Sequence, residues 1–534
     1  MSATRASYDL AAEPERYAFA DVTVGGLSLN RGTARVQVAA ADAERSEHTR
    51  AAHRAALLTT TLAADSPVLE LGYPVAGMYV MSSAGVYLDL YLGVAQKLFD
   101  ENHPRLRRML ASLQQWGLTL RREINTDDYL GLRAGVADIV TPQQLARLFA
   151  ETARRSLGAE QDFQVFFSNS GTEAIECALK LAQVCAYKRL LRNHGMPSIE
   201  RLMRDLQIER EPFFDHDPNG PVYRDYPFFL IGCDGAFHGR TMGALHLTRS
   251  KAAHQLGYSK FPWTRHLRFN GDASELEGMI DPRPLRQLLD APGGVRACLA
   301  QGKLPAELIA GFVVEGFQGE GGYRMADRNW LRDIRRLCER HGILFIADEV
   351  QSFCRTGTVF FIEQFGVVPD LIATAKAAVV GVTLARADLG TDLHPGWHSN
   401  TWGGGKILDV QWSHATLDTM LHHQDPVFRG LTYLENLAVK GAYIQDKLED
   451  LRRKHPRTLL DFSGVGGMWG VSVRWRERII QVGWNRGIKL LGCGVAGEIS
   501  RLRLIFLADV LAKEIDEFAA VFDRVLAEVE SEAA

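Results

Sequence analysis

The chain has 534 residues, 46% hydrophobic and 23% charged, a mix that belongs to a folded globular protein and excludes extended disorder as its main state. Sixty-one basic residues against 64 acidic ones leave a net charge of −3, which excludes a general electrostatic wrap around nucleic acid or anionic lipid. At roughly 100–200 residues per domain, the length allows about two to four domains.

The first sixteen residues mix acids and bases and hold no apolar run, so they do not read as a secretion signal. The first 60 or so are poor in aromatics and read as an arm. No apolar stretch reaches about 18 residues, so no membrane span is expected. A cytoplasmic setting is the expectation. The seven cysteines are scattered and form no CxxC, which argues against a disulfide framework or a zinc site. The pair His422–His423 suggests metal only by composition, and no metal is expected.

QVFFSN at 164–169 is a short apolar strand running into a helix with Ala174, Ala178, Leu179, Ala182 and Cys185 on one face. A polar stretch over about 192–226 reads as a loop insertion with at most one short helix. Strands follow at 227–233, 308–316, 343–349 and 371–376, and the spacing predicts a helix over 330–342 closed by a glycine. Strands apolar on both faces and alternating with helices imply a mostly parallel sheet covered on both sides. Beyond about residue 405 the texture changes: a long helical stretch over 407–453, a glycine-rich turn and strand over 464–473, and a helix from about Ala512. The glycines at 464–470 precede a strand and open no helix, so a dinucleotide-binding loop is rejected.

In sheets of this kind ligands bind beyond the carboxyl ends of the strands, and the polar residues there carry the candidate chemistry. Ser170, Gly171 and Thr172 sit where a strand becomes a helix. They offer a phosphate cradle by dipole and free N–H groups, or simply a helix cap. Asp348 leaves an apolar strand in DEVQ and could hold a cationic partner, or could meet solvent. Lys376 ends the next strand among alanines. It is one of only 13 lysines. Burial there would lower its pKa and favour imine formation, although a lysine more often snorkels to the surface. In GAFHGRT, Phe237 could cover a flat ring, His238 stands beside it, and Arg240 could grip a carboxylate. EGFQGEGGY places Glu315 and Glu320 in a glycine-rich turn, and Thr401 lies in the turn NTWGGG.

Each of these motifs has an ordinary alternative, but their order along the chain is specific. With ADEVQ, PDLIATAK and QGEGG as the most telling strings, the chain resembles the class III pyridoxal-phosphate-dependent aminotransferases over about 73–527. Finer strings, GAFHGR, LTRSK, SKFPW and NTWGG, resemble the lysine 6-aminotransferase branch. The resemblance implies an α/β fold of type I. A central, mostly parallel seven-stranded sheet would occupy 105–404, flanked by helices and carrying the 192–226 insertion. A smaller α+β domain would be built from 1–104 and 405–534.

It also implies pyridoxal 5′-phosphate as cofactor, with Lys376 forming the internal aldimine and shuttling the substrate proton. Asp348 would meet the pyridinium nitrogen, with Val350 and Phe237 on the two ring faces, His238 alongside and Gln351 at the phenolic oxygen. Ser170, Gly171 and Thr172 would hold the phosphate, together with Thr401 donated by the other subunit of a homodimer. For substrate, Arg240 and Arg503 would bind carboxylates, Glu320 would gate the arginine, and Glu315 and Phe353 would shape the pocket. The expected reaction moves an amino group from a primary amine, a terminal or omega amine as first choice, to a keto acid or aldehyde in two halves. An aminomutase, racemase or decarboxylase on the same scaffold, a transaminase of a bulky specialised metabolite, and a non-catalytic descendant stay open.

Overall fold

A computed structural model describes residues 20–38, 49, 51–52, 71–119, 135–136, 138–214, 221–390, 393, 396–400, 406–425, 430–494 and 500–533. Its centre is a seven-stranded sheet. In chain order the strands are β1 (Phe163–Ser168), β2 (Phe229–Cys233), β3 (Thr264–Leu267), β4 (Ile309–Val314), β5 (Leu344–Asp348), β6 (Leu371–Thr374) and β7 (Gly381–Arg386). Their spatial order is β1-β7-β6-β5-β4-β2-β3. All neighbouring pairs are parallel except the two made by β7, which runs against both β6 and β1. This is the mostly parallel sheet expected from the sequence.

Every residue of β2, β4, β5 and β6 is buried, as strands covered on both faces require. Helix α1 (Gly171–Leu206) packs across β4, β6 and β7. Helix α2 (Arg328–His341) buries Trp330, Leu331, Ile334, Leu337 and Cys338 on one stripe. Asp327 caps its first turn by accepting from Asn329 N and Trp330 N, and Gly342, at φ 66°, ends it.

Two expectations need correction. The stretch 192–226 does not begin as a loop, because α1 continues through it to Leu206. Gly195 (φ 71°, ψ 168°) breaks the helix, and Pro197 sits in the first turn of its second half, where a missing N–H costs nothing. The glycine and proline mark a joint between two helices. Beyond Leu206 only a single turn, Pro212–Phe214, is helical among the described residues. The helical stretch after 405 is two helices, Ile407–His422 and Tyr433–Lys454, the second opened by a Thr432–Glu435 capping box.

A second sheet of four antiparallel strands (Leu459–Val465, Met468–Val473, Leu491–Cys493, Arg501–Ile505) lies against Tyr433–Lys454. Of the glycines at 464–470, Gly466 and Gly467 form its first hairpin turn, and Gly464 and Gly470 lie in the two strands it joins. Ile488–Lys489 pairs in parallel with Gly85–Asp89, so early and late parts of the chain share a third sheet. Arg31 joins them again through buried ion pairs to Asp509 (3.1 Å) and Glu514 (2.8 Å). No helix of the described residues is long and apolar enough to cross a membrane.

Candidate active site

A cavity of about 670 Å³ opens at the carboxyl edge of the large sheet. One side is the start of α1, where Ser170 Oγ accepts from Glu173 N at 3.4 Å as the cap. Ser170 thus caps the helix, and Ser170, Gly171 and Thr172 line the cavity. A Cβ on Gly171 would lie 2.7 Å from Val350 Cγ1, and one on Gly239 (φ 128°) would lie 2.0 Å from Thr172 Oγ1. Glycine at both positions lets the backbone approach what lies between. Thr172 Oγ1 is 2.8 Å from Thr241 Oγ1, which donates to Glu176 Oε1 at 2.5 Å.

The two acids of DEVQ part company. Asp348 lines the cavity, and its Oδ2 is 2.7 Å from His238 Nδ1. Its Oδ1 accepts from Val350 N at 3.0 Å. Glu349 turns the other way and is 1% exposed. It accepts from Phe361 N (2.9 Å), Ile362 N (2.8 Å) and Ser352 Oγ, which makes it the anchor of the following loop. Burial alone would lower the His238 pKa, but the hydrogen bond and charge of Asp348 raise it. His238 Nε2 and Gln351 Oε1 are buried and have no hydrogen-bond partner among the described residues.

Lys376 follows β6 with φ 51°, a left-handed conformation unusual for a residue with a Cβ. Its side chain lines the cavity. Burial first, and then the charge of Arg503, pull its pKa from 10.5 to about 7. Glu315 lines the same space, held by Phe237 N (2.9 Å) and Gly319 N (3.1 Å). Burial and the Asp348 charge push it up to about 7. Its bonds tie the Phe237 turn to the glycine-rich turn. Phe237 and Arg240 reach the cavity, with Arg240 exposed at the mouth and 3.2 Å from His254 Nε2.

Arg503 lies outside the cavity lining, on the four-stranded sheet and 2% exposed. Its Nη2 donates to Glu320 Oε2 at 2.5 Å, and Lys251 binds the other oxygen. The two cations overcome burial and hold Glu320 at about 2. Lys251, which the sequence did not single out as a site residue, thus completes the pair. Phe353 is corrected: it is 1% exposed and packs against Phe149 and Phe360, away from the cavity lining. Thr401 lies outside the described residues.

The sequence reading also missed the opposite wall. Gln96, Lys97, Leu98 and Phe99 line it, facing Asp409 and Trp412. The wall follows a left-handed turn, Leu92–Ala95, whose residues with a Cβ each cost roughly 1–2 kcal/mol in that conformation. Nothing in YLGVAQ announces such a turn.

A partly desolvated lysine, a buried aspartate backed by histidine, and a helix N-terminus are groups that would suit pyridoxal phosphate on a type I fold. The orphaned, buried His238 Nε2 and Gln351 Oε1 fit that cofactor. The sequence pattern of the aminotransferase class-III family matches residues 75–526, and the chain belongs to that family. An acetylornithine aminotransferase of Bacillus anthracis is 30% identical over 312 residues, 58% of this chain and 61% of that protein. A putrescine aminotransferase of Pectobacterium atrosepticum is 29% identical over 320 residues, 58% of this chain and 54% of that protein. Both alignments thus span less than two thirds of the relative. The structure of a lysine aminotransferase from M. tuberculosis, 25% identical, superposes with a TM-score of 0.67 over 91% of this chain and 99% of that one.

Proposed function

We propose that the protein is an aminotransferase that moves an amino group from a primary amine, with a terminal amine as first choice, to a keto acid or aldehyde. The observation that carries this reading is Lys376: an amine held near pKa 7 inside the cavity, with the buried Asp348–His238 pair lining the same space. At neutral pH such an amine is available both as a nucleophile and as a proton acceptor at Nζ. Asp348, hydrogen-bonded to His238, would hold a protonated ring nitrogen. The start of α1 would hold the phosphate, Val350 and Phe237 would confine the ring, and Gln351 would meet its oxygen. When bound, pyridoxal 5′-phosphate supplies the electron-withdrawing ring on which amino groups are exchanged. Arg240 at the mouth suits a substrate carboxylate, and Arg503 suits a second one once Glu320 is displaced.

Relatives acting on acetylornithine, putrescine and lysine support a terminal amine. We read 105–404 as the cofactor-binding domain and 1–104 with 405–534 as a smaller one, in line with the pairing of Ile488–Lys489 and Gly85–Asp89. We read the active unit as a homodimer, with Thr401 serving the other subunit's phosphate. Seven free, buried cysteines suit a cytoplasmic setting.

The test is an amine-donor screen with pyridoxal phosphate and 2-oxoglutarate. Glutamate should accumulate with a terminal-amine donor, and the cofactor's absorbance should change on adding that donor alone. Carbon dioxide or an isomer without glutamate would replace this reading with a decarboxylase or a mutase or racemase.

A further inference from the structure

Leu92, Gly93, Val94 and Ala95 have φ of 45°, 62°, 60° and 63°. They make one left-handed turn, closed by Gln96 N donating to Leu92 O at 2.9 Å. Three of the four carry a Cβ and Val94 is β-branched, so the conformation has no local support and must be held from outside. At its start Asp89 Oδ1 accepts from Tyr91 N and Leu92 N at 2.9 and 3.0 Å. At its end a single nitrogen, Arg355 Nη2, donates to Ala95 O at 2.7 Å and to Lys97 O at 2.5 Å.

Arg355 is 0% exposed, and among the described residues no carboxylate pairs with it. A buried cation without a counter-charge is expensive, so a fold that keeps one uses what it grips. Immediately after the turn, Gln96, Lys97, Leu98 and Phe99 become the outer wall of the cavity. Arg355 itself sits seven residues after Asp348, on the loop leaving β5. Its carbonyl accepts from Gly467 N at 2.8 Å, so a hairpin of the four-stranded sheet braces it from behind.

We infer that Arg355 is the positioning residue of the outer wall: it clamps the left-handed turn Leu92–Ala95, and with it residues 96–99, onto the loop that carries Asp348, Val350 and Gln351. The clamp fixes the distance between the wall that meets the amine donor and the residues that meet the cofactor.

The test compares Arg355→Met, Arg355→Lys and Asp89→Ala, the last loosening the other end of the turn without touching Arg355. In cofactor-free protein, amide hydrogen exchange at 95–97 should rise about tenfold in Arg355→Met and in Asp89→Ala, and less in Arg355→Lys. The kinetic half rests on the aminotransferase reading: donor KM should rise about fivefold in Arg355→Met with kcat within about twofold. Unchanged exchange at 95–97 in folded Arg355→Met overturns the clamp, as does a fall in kcat at constant KM. If Arg355→Met does not fold, unchanged exchange in Asp89→Ala, or exchange in Arg355→Lys raised above that in Asp89→Ala, overturns it equally. Absence of turnover in the unsubstituted enzyme would instead count against the aminotransferase reading, and the exchange result would still decide the clamp.

Discussion

His238 Nδ1 lies 2.7 Å from Asp348 Oδ2, and both side chains are buried. The pair keeps one nitrogen of the imidazole committed to the aspartate, whose side chain lines the cavity. Replacing His238 with Ala strips a buried carboxylate of its partner. Cofactor affinity should fall about ten- to a hundredfold. Fluorescence titration of cofactor-free His238→Ala with pyridoxal phosphate checks this, and affinity within twofold of the parent would contradict it.

Lys376 titrates near 7 when folded against 10.5 when exposed, because burial and then Arg503 disfavour its charge. Between those values the unfolded chain holds a proton that the folded chain does not, so stability of the cofactor-free protein rises with pH on this group's account. Lys376→Met removes the penalty. The variant should be the more stable protein at pH 7, with the two stabilities converging toward pH 10.5. Urea unfolding at four pH values measures the gap, and parallel curves would sink the assignment. The same variant should have no measurable transamination.

Glu320 is the reverse case. Burial opposes its charge, but Arg503 and Lys251 hold it near 2, so its stabilising contribution is present above pH 4.5 and lost as pH falls toward 2. Glu320→Ala leaves Arg503 buried beside no carboxylate, at a cost of roughly 3–5 kcal/mol at pH 7. The deficit should shrink when unfolding is measured at pH 3. A deficit that stays constant with pH would mean the loss comes from packing.

At Gly171 the constraint is steric. An alanine Cβ would meet Val350 Cγ1 at 2.7 Å, and a β-branched side chain has few rotamers with which to yield. Gly171→Ala should weaken cofactor binding about tenfold, the scale of one overpacked contact, while the circular dichroism spectrum stays that of the parent. Unaltered affinity would show that the start of α1 can shift freely.

Phe353 tests the correction made above. Its ring fills space between Phe149 and Phe360, so Phe353→Ala should cost about 3–5 kcal/mol in unfolding free energy and leave donor KM unchanged. A change in KM larger than the change in stability explains would return Phe353 to the pocket.

Five strands of the sheet were legible as short apolar runs bounded by polar groups, whereas β3 (Thr264–Leu267), half-buried and carrying Arg265 and His266, and β7 (Gly381–Arg386) were not read from the sequence. The candidate cofactor residues drew attention in the same way: a lysine, an aspartate and a Ser-Gly-Thr turn each lie at a strand end, and all of them line one cavity. What escaped was everything set by side-chain direction. Phe353 lies five residues after Asp348, but its turn points it into the core. Gly195 and Pro197 have loop composition yet occupy a helix joint, where the same backbone properties are useful. The left-handed turn and its arginine are 260 residues apart in sequence and meet only in the fold.

The parallel pairing of Ile488 with Leu88 has a further consequence, one of timing. The first strand leaves the ribosome 400 residues before its partner (488 − 88), a wait of roughly 20–80 s at ordinary rates of synthesis. The large sheet can close during that interval, since its last strand ends at Arg386. On that edge Gly85 and Val86 already have Gln37–Val38 as partners, so it is Leu88–Asp89 that waits for the late strand while the large sheet is complete in the chain.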